Sequence, residues 1–530
     1  MSKCNFPLLC GSIERKLINI IAVLLILLPI VAGFVYLLVF SVNVPYYDQW
    51  VNDIPLSIKF HSGEGTVSDV LHVDNNHRPV ITNILLPILY NVTNFNMLIA
   101  VLLSYFIYVV SFFMLSTLIV KKYGFNTRTS LLLIPLSFFY FNFYMVCSLL
   151  WPGMGMYFVF MPFFVILTFY ALEQSTHFDH WFCIAIVSAI CCFFTFSGGI
   201  FIWIGILAYL VLKYAMNRKL KIIATCASAG LIAILNYFVF QPPIGTSSAN
   251  SELITQWISY PLQLLTQFTS VVGTNIIHHP EFTLFTGGII LLLLFSVMYT
   301  NKHFLDFNET AVWYGLIIYG CATMAALVFL RGRFGDFVLN PMIHHSTSTL
   351  FLLVGLLSLA YYYFSKARTG RTKTEKSQNN HDIQLILLTM ISCMMIFGAV
   401  FHLFPGVEAG YDWFNAQSSG VEILYVDEID DAKLDEFFYN TQFDGFIPDY
   451  FVFFGKDGLK MHLHPKITYF KENQLNLYDP AQNLHFDGIW NDIRWILSNV
   501  IEVKYRDPEF MHGQRAIRNV MLEQRIIRNF

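Results

Sequence analysis

The sequence predicts an all-α polytopic membrane protein that carries a small α/β domain outside the bilayer. Two observations predict the membrane part. Of the 530 residues, 56% are hydrophobic and 13% charged, with a mean hydropathy of +0.55. Soluble domains carry about 25% charged residues, so this chain lacks the polar surface to cover a water-soluble globule of its size. Eleven apolar stretches also reach or approach the ~20 residues that a helix needs to cross a bilayer core. A third observation predicts the appended domain: beyond residue 404 the apolar runs stop and a mixed polar sequence continues to residue 530. The net charge of -3 supplies no basic field of the kind that holds nucleic acid, which removes that class of partner.

The apolar stretches run over 17–41, 96–120, 129–149, 155–172, 181–196, 199–214, 222–240, 283–299, 311–330, 349–364 and 384–404. The first follows Arg15 and Lys16, contains Pro29 and lacks a small-residue cleavage site, so it reads as a retained anchor. The fifth and sixth are short and separated by Ser197-Gly198-Gly199, which suits a hairpin or one kinked unit. With the N-terminus inside, the inner segments hold 16 Lys and Arg and the outer loops only Lys59, Arg78, Arg331 and Arg333. The positive-inside rule therefore orients the chain, and an odd number of spans places the C-terminal region outside. In a bacterium this is the inner membrane, with the N-terminus cytoplasmic and residues 405–530 periplasmic; in a eukaryotic secretory membrane those residues face the lumen. The polar mass then lies outside, in loops 42–95, 241–282 and 331–348 and in the terminal domain.

Within that terminal domain, 421–426 reads as a strand, 432–439 as a short helix, and 450–454 with 459–464 as a hairpin. Residues 489–500 read as an amphipathic helix, 501–505 as a strand and 515–528 as a basic surface helix. All nine cysteines lie at the N-terminus or in apolar runs, none after Cys393, so no disulfide framework and no CxxC zinc pair is expected.

Ionisable residues concentrate in the first outer loop. It carries Tyr46-Tyr47-Asp48-Gln49-Trp50, Asp53, and then Asn76-His77-Arg78-Pro79 ahead of the apolar run 80–90, which is too short to span. Asp48 or Asp53, close to the membrane surface among aromatic residues, suits a general base that takes a proton from a polar hydroxyl. The competing reading is a set of solvated edge residues and interfacial anchors. Arg78 suits bidentate phosphate binding with His77 beside it, against ordinary snorkelling to headgroups. Arg331 and Arg333 break the charge trend outside, which suggests that they answer a negative group such as a lipid phosphate. Trp151 opens a tight outer turn, Trp151-Pro152-Gly153-Met154-Gly155, that can line the same cavity. His344-His345 and the other histidine pairs lack acidic partners at ligand spacing, and no metal site is expected. The inner face has no phosphate-binding GxxxxGK[ST] loop.

Asp48-Gln49-Trp50 after the first helix, Asn76-His77-Arg78-Pro79 before the next apolar run, and Arg331-Gly332-Arg333-Phe334-Gly335 together resemble the multi-spanning glycosyltransferases of the GT-C type. More narrowly, they resemble bacterial and phage enzymes of serotype conversion, which add glucose to O-antigen. The resemblance covers residues 1–404; some relatives carry paired acids at the loop start, where this chain has Asp48-Gln49 and a second acid at Asp53. It implies an inverting hexosyltransferase with a polyprenyl-phosphate sugar, typically undecaprenyl-phosphate-glucose, as donor and the O-antigen of lipopolysaccharide as acceptor. Asp48 or Asp53 would be the base. Asn76, His77, Arg78, Trp50, Trp151, Arg331 and Arg333 would bind substrate. Arginines can neutralise a monophosphate leaving group, so no cofactor is required, while a divalent metal stays open. A separate donor synthase and a flippase are implied as partners, beside the lipid bilayer. Aromatics such as Trp257, Tyr260, Trp413, Trp490 and Trp495 suit stacking on sugars or core packing.

Three rivals remain. A transporter or flippase of lipid-linked sugars would place ionisable residues within its spans, whereas here they lie at the edges. An O-antigen polymerase would carry a large central outer loop, whereas here the soluble mass is terminal. A non-enzymatic anchor would not need eleven spans.

Overall fold

The structure is a computed structural model that describes residues 6–45, 47–50, 52–72, 79–213, 218–239, 261–274, 276–277, 280–301, 306–331, 347–369, 375–410, 413–414 and 464–475. Every regular element among these residues is helical. Among the described residues seven helices are long and apolar enough to cross a membrane: Lys16–Phe40, Met97–Tyr123, Gly155–Gln174, Phe282–Thr300, Phe307–Phe329, Thr349–Ala367 and His381–Gly410. Thr127–Tyr140 and Phe143–Leu150 meet at a 45° bend and count as an eighth if taken as one span. The chain is thus an all-α polytopic membrane protein.

The expected eleven crossings need correction. Stretches 181–196 and 199–214 form helices of 14 and 11 residues, His180–Phe193 and Ile202–Leu212, and at 1.5 Å per residue neither reaches across ~30 Å of hydrocarbon. The stretch at 222–240 forms the helix Arg218–Val239, which is not among the seven. The expected outer loop 241–282 contains a packed helix, Pro261–Gly273, and its last residues start the next helix, Pro280–Thr300. In the terminal region the described residues form the helix His464–Glu472 and a short turn to 475; the strands expected at 421–426 and 501–505 and the hairpin of 450–454 with 459–464, apart from His464, lie outside the described residues, as do the helices at 432–439, 489–500 and 515–528.

In chain order the helices are α1 (Phe6–Phe40), α2 (Asp53–His61), α3 (Val67–Val70), α4 (Val80–Val92), α5 (Met97–Tyr123), α6 (Thr127–Tyr140), α7 (Phe143–Cys147), α8 (Pro152–Gln174), α9 (His180–Phe193), α10 (Ile202–Leu212), α11 (Arg218–Val239), α12 (Pro261–Gly273), α13 (Pro280–Thr300), α14 (Phe307–Arg331), α15 (Thr347–Thr369), α16 (Glu375–Phe401) and α17 (His464–Glu472). The central span is α8, 78% buried over its apolar window, while α1, α13 and α16 are 33% buried and turn Leu24, Val31, Leu292 and Phe397 outward to lipid. The α6–α7 bend falls at Phe141-Asn142, where the Asn142 side chain accepts from the Met145 N–H at 2.9 Å and restarts the helix. α10 and α14 cross closely because Gly205 and Gly315 face each other across the contact, in the small-residue mode of membrane helices.

Charges gather at one end of the bundle. There the Glu173 carboxylate on α8 pairs with Lys122 of α5 at 2.8 Å and with Lys213, just past α10, at 3.0 Å. Lys122 also reaches the Glu309 carbonyl at 2.7 Å, and Lys366 of α15 pairs with Asp306 at 2.8 Å. Since α8 ends and α9 begins at this end, and α10 returns to it, α9 and α10 form a hairpin with the 3-10 turn Ser197–Phe201 at its tip. The opposite end carries α2, α3, α4, α17 and the α8 N-terminus.

Glu173, with its side chain 10% exposed, is the carboxylate common to two of these pairs. Removing one member of a buried pair strands the other charges and costs about 3–5 kcal/mol. Glu173→Ala is expected to melt in detergent well below the wild type, whereas Glu309→Ala, at a carboxylate 56% exposed, is expected to change little. Equal melting temperatures for Glu173→Ala and wild type would contradict this account of the charged end.

Candidate functional site

The site is built where α1 leaves the bundle. A 3-10 turn, Tyr47–Trp50, contains Asp48 and leads through Asn52 into α2, whose first residue is Asp53. An acid in the first turn is favoured by the positive end of the helix dipole. Asp53 is only 4% exposed, so its charge requires partners. The Tyr157 hydroxyl, on α8, donates to Asp53 Oδ1 at 3.2 Å. Oδ2 lies against Gly153 in the first turn of α8, where a methyl group would overlap the carboxylate. Asp53 thus sits at two helix N-termini, its own and that of the central span, and both favour negative charge.

Gln49, 1% exposed, lies beside it and donates from Nε2 to the Tyr90 hydroxyl at 3.0 Å. Burial first, and the Asp53 charge second, push the Tyr90 phenol well above its ordinary range, so it remains a neutral hydroxyl. Tyr90 belongs to α4, the apolar run at 80–90 that is too short to span. One face of α4 buries Thr82, Asn83, Leu86 and Tyr90, and the other exposes Ile84, Ile88 and Val92. Ile81 N–H donates to Phe194 O at 3.1 Å, so α4 is joined to the tip of the α9–α10 hairpin.

Aromatic side chains roof this polar group. Trp50 is fully buried, and Trp151, 8% exposed, packs on Trp413 at 5.8 Å. α17 closes the far side: Ile467, Phe470 and Leu475 are buried in one cluster with Trp50, Ile54, Tyr90 and Phe95. Tyr469 bonds His61 Nδ1 at 2.7 Å. Lys466, at the start of α17, is pushed down to about 8 by burial.

The structure therefore brings together Asp53, Trp50 and Trp151 of the expected site residues, all buried, with Asp48 in the adjoining turn. Arg331 is the last residue of α14. Asn76, His77, Arg78 and Arg333 lie outside the described residues, as do Trp257, Tyr260, Trp490 and Trp495. Gln49 stood in the Asp48-Gln49-Trp50 motif without a role; sequence reasoning missed Tyr90, Gly153 and Tyr157 as site residues, and the whole of α17. Gly153 was visible within the Trp151–Gly155 turn; the others carry no signal without their partners. Among the described residues no three His, Cys, Asp or Glu side chains are grouped to hold a metal ion.

No family model and no solved structure matches the chain. It is similar to an uncharacterized protein of the archaeon Archaeoglobus fulgidus, 26% identical over 270 residues, covering 45% of this chain. The chain spans 60% of the length of that relative.

Two expectations follow. Gly153→Ala should lower the melting temperature, and Asp53→Ala should relieve part of that loss, because the added methyl competes with the Asp53 carboxylate; strictly additive effects in the double-mutant cycle would refute the contact. Lys466 is about 8 in the folded chain against 10.5 free, so between those values the unfolded chain holds the extra proton and stability rises with pH. Wild type should gain melting temperature relative to Lys466→Met as pH is raised from about 8 toward 10; parallel curves would remove this linkage.

Proposed function

We propose that the chain is an inverting glycosyltransferase that moves a hexose, glucose by resemblance, from a polyprenyl-phosphate donor to an O-antigen acceptor at the periplasmic face of a bacterial inner membrane. One observation carries the reading furthest: a carboxylate-bearing turn at the mouth of a membrane bundle is fixed by a buried polar group of Asp53, Tyr157, Gln49 and Tyr90. Transfer from a lipid-linked sugar needs such a place, where a polar hydroxyl and a lipid phosphate meet with water largely excluded.

Asp53 is committed to Tyr157 and the α8 N-terminus, so the base role goes to Asp48 and Asp53 becomes the residue that fixes its turn. Asp48 takes the proton of the acceptor hydroxyl. The freed oxygen pair forms the new bond to the anomeric carbon from the face opposite the phosphate, and the old carbon–oxygen bond breaks with its electrons leaving on the phosphate. Arg78, Arg331 and Arg333 neutralise that departing charge. Asn76 and His77 complete the donor contacts, and Trp50 and Trp151 act as walls. This reading includes a separate synthase and flippase, since nucleotide sugars are absent outside.

The location of charge favours a transferase over a transporter. Glu173, Lys122, Lys213, Asp306 and Lys366 pair at one end of the bundle, where alternating access would have to break them.

Asp48→Asn should abolish hexose addition to the lipopolysaccharide repeat, read by mass spectrometry in cells supplied with donor synthase and flippase, at unchanged levels of inserted protein. Full activity of Asp48→Asn would sink the assignment of the base. A changed chain-length ladder without added hexose would move the reading to a polymerase.

A further inference from the structure

Helix α17 belongs to the terminal region, far along the chain from the first loop, yet it seats directly on the residues that hold the Asp48 turn. Phe470, 1% exposed, lies 6.2 Å from the Trp50 ring and 5.0 Å from that of Phe95. Phe95 stacks on Tyr90 at 5.8 Å and 24°, and Tyr90 accepts from Gln49. Phe470 therefore touches the turn twice, directly through Trp50 and indirectly through Phe95, Tyr90 and Gln49. Trp50 and Gln49 are the last two residues of that turn, immediately after Asp48.

The second observation is backbone strain at the same place. Asn94 and Phe95 both occupy the left-handed region, with φ of +51° and +61°, which two successive non-glycine residues rarely do. Such conformations persist where surrounding contacts over-determine them. For Phe95 those contacts are Tyr90, His61 and Phe470. Withdrawal of α17 removes one wall of the slot and leaves the strained pair less supported.

We propose that Phe470 is a positioning residue for the reaction described above, and that seating of α17 on Trp50 and Phe95 sets the turn that bears Asp48. The proposal rests on the transferase reading for its chemistry; the mechanical coupling stands without it. The terminal region thereby becomes part of the site, and a polymer engaged by that region would act on the acid through α17. Ile467 and Leu475 anchor the helix, and the Tyr469–His61 hydrogen bond fixes its rotation.

Hydrogen exchange on the full chain in detergent tests the coupling. Phe470→Ala should raise exchange across residues 47–61 by about tenfold or more while leaving α14 and α15 unchanged, since local openings report weakened local packing. In membranes with lipid-linked donor, kcat should fall about 100-fold with KM for the donor nearly constant, as expected when a reacting group is misplaced while the donor is still held. Phe470→Leu, which refills the slot, should restore both. Unchanged exchange at 47–61 in Phe470→Ala would overturn the proposal, and so would a normal kcat beside raised exchange. A wild-type chain without transferase activity would instead overturn the transferase reading, and the exchange result would still decide the coupling. Should Phe470→Ala fail to insert, Tyr469→Phe, which removes only the bond to His61, should raise exchange at 464–475 and 47–61 together; a rise at 464–475 alone would refute the coupling.

Discussion

A buried carboxylate is the constraint around which the loop end is arranged. Desolvating a carboxylate is expensive unless its oxygens are met by donors or positive dipole ends. Asp53 meets that demand by contacts that lie far apart in sequence: a hydroxyl from the second turn of α8, and the first turn of α8 itself. The consequence runs outward. α8 must begin with a residue that has no side chain at Gly153, its start is fixed by Pro152 at the first helical position, and Trp151 is turned into the aromatic cluster. α2 must lie across the mouth of the bundle rather than extend into water.

The two ends of the bundle are stabilised by different means, and this divides their roles. At the lysine-rich end, helix termini are tied by direct ion pairs, those of Glu173 with Lys122 and Lys213 being little exposed. These contacts are short-ranged and have few alternative arrangements, so that end is a fixed base. At the loop end the contacts are aromatic faces and single hydrogen bonds to hydroxyls, among them Trp151 on Trp413 and Tyr469 on His61. Such contacts tolerate sliding and re-seating, which suits the role proposed above for that end.

Long crossings were legible in the sequence because hydropathy over about 20 residues is set by the bilayer and not by neighbours in the fold. The stretches at 181–196 and 199–214 form the hairpin that Ser197-Gly198-Gly199 suited, but they do not count as crossings, because a buried short hairpin needs apolar residues as much as a full crossing does. The candidate acids were legible as a cluster, but their environments were not. Asp48 and Asp53 stand five residues apart in a polar-looking loop, and only the approach of Tyr157 and Gly153 from another helix shows what holds Asp53. α17 was illegible for a similar reason: Ile467 and Phe470 share an apolar face only once α17 is helical, Leu475 joins them from the turn beyond it, and what covers that face, Trp50 and Phe95, lies some 400 residues earlier in the chain.

The strained pair Asn94-Phe95 ties the loop end to the terminal region. Each left-handed non-glycine residue costs on the order of 1–3 kcal/mol, so the turn between α4 and α5 is a poor conformation taken alone. Its compensation is that Phe95 is fully buried, with aromatic neighbours on three sides. One of those neighbours comes from the terminal region. The stability of a turn between the first loop and the second long span therefore depends on a helix encoded near the end of the chain, and that dependence runs in both directions. Whatever displaces α17 weakens the support of Phe95, and whatever orders the Tyr47–Trp50 turn through Gln49 and Tyr90 strengthens the seat on which α17 rests.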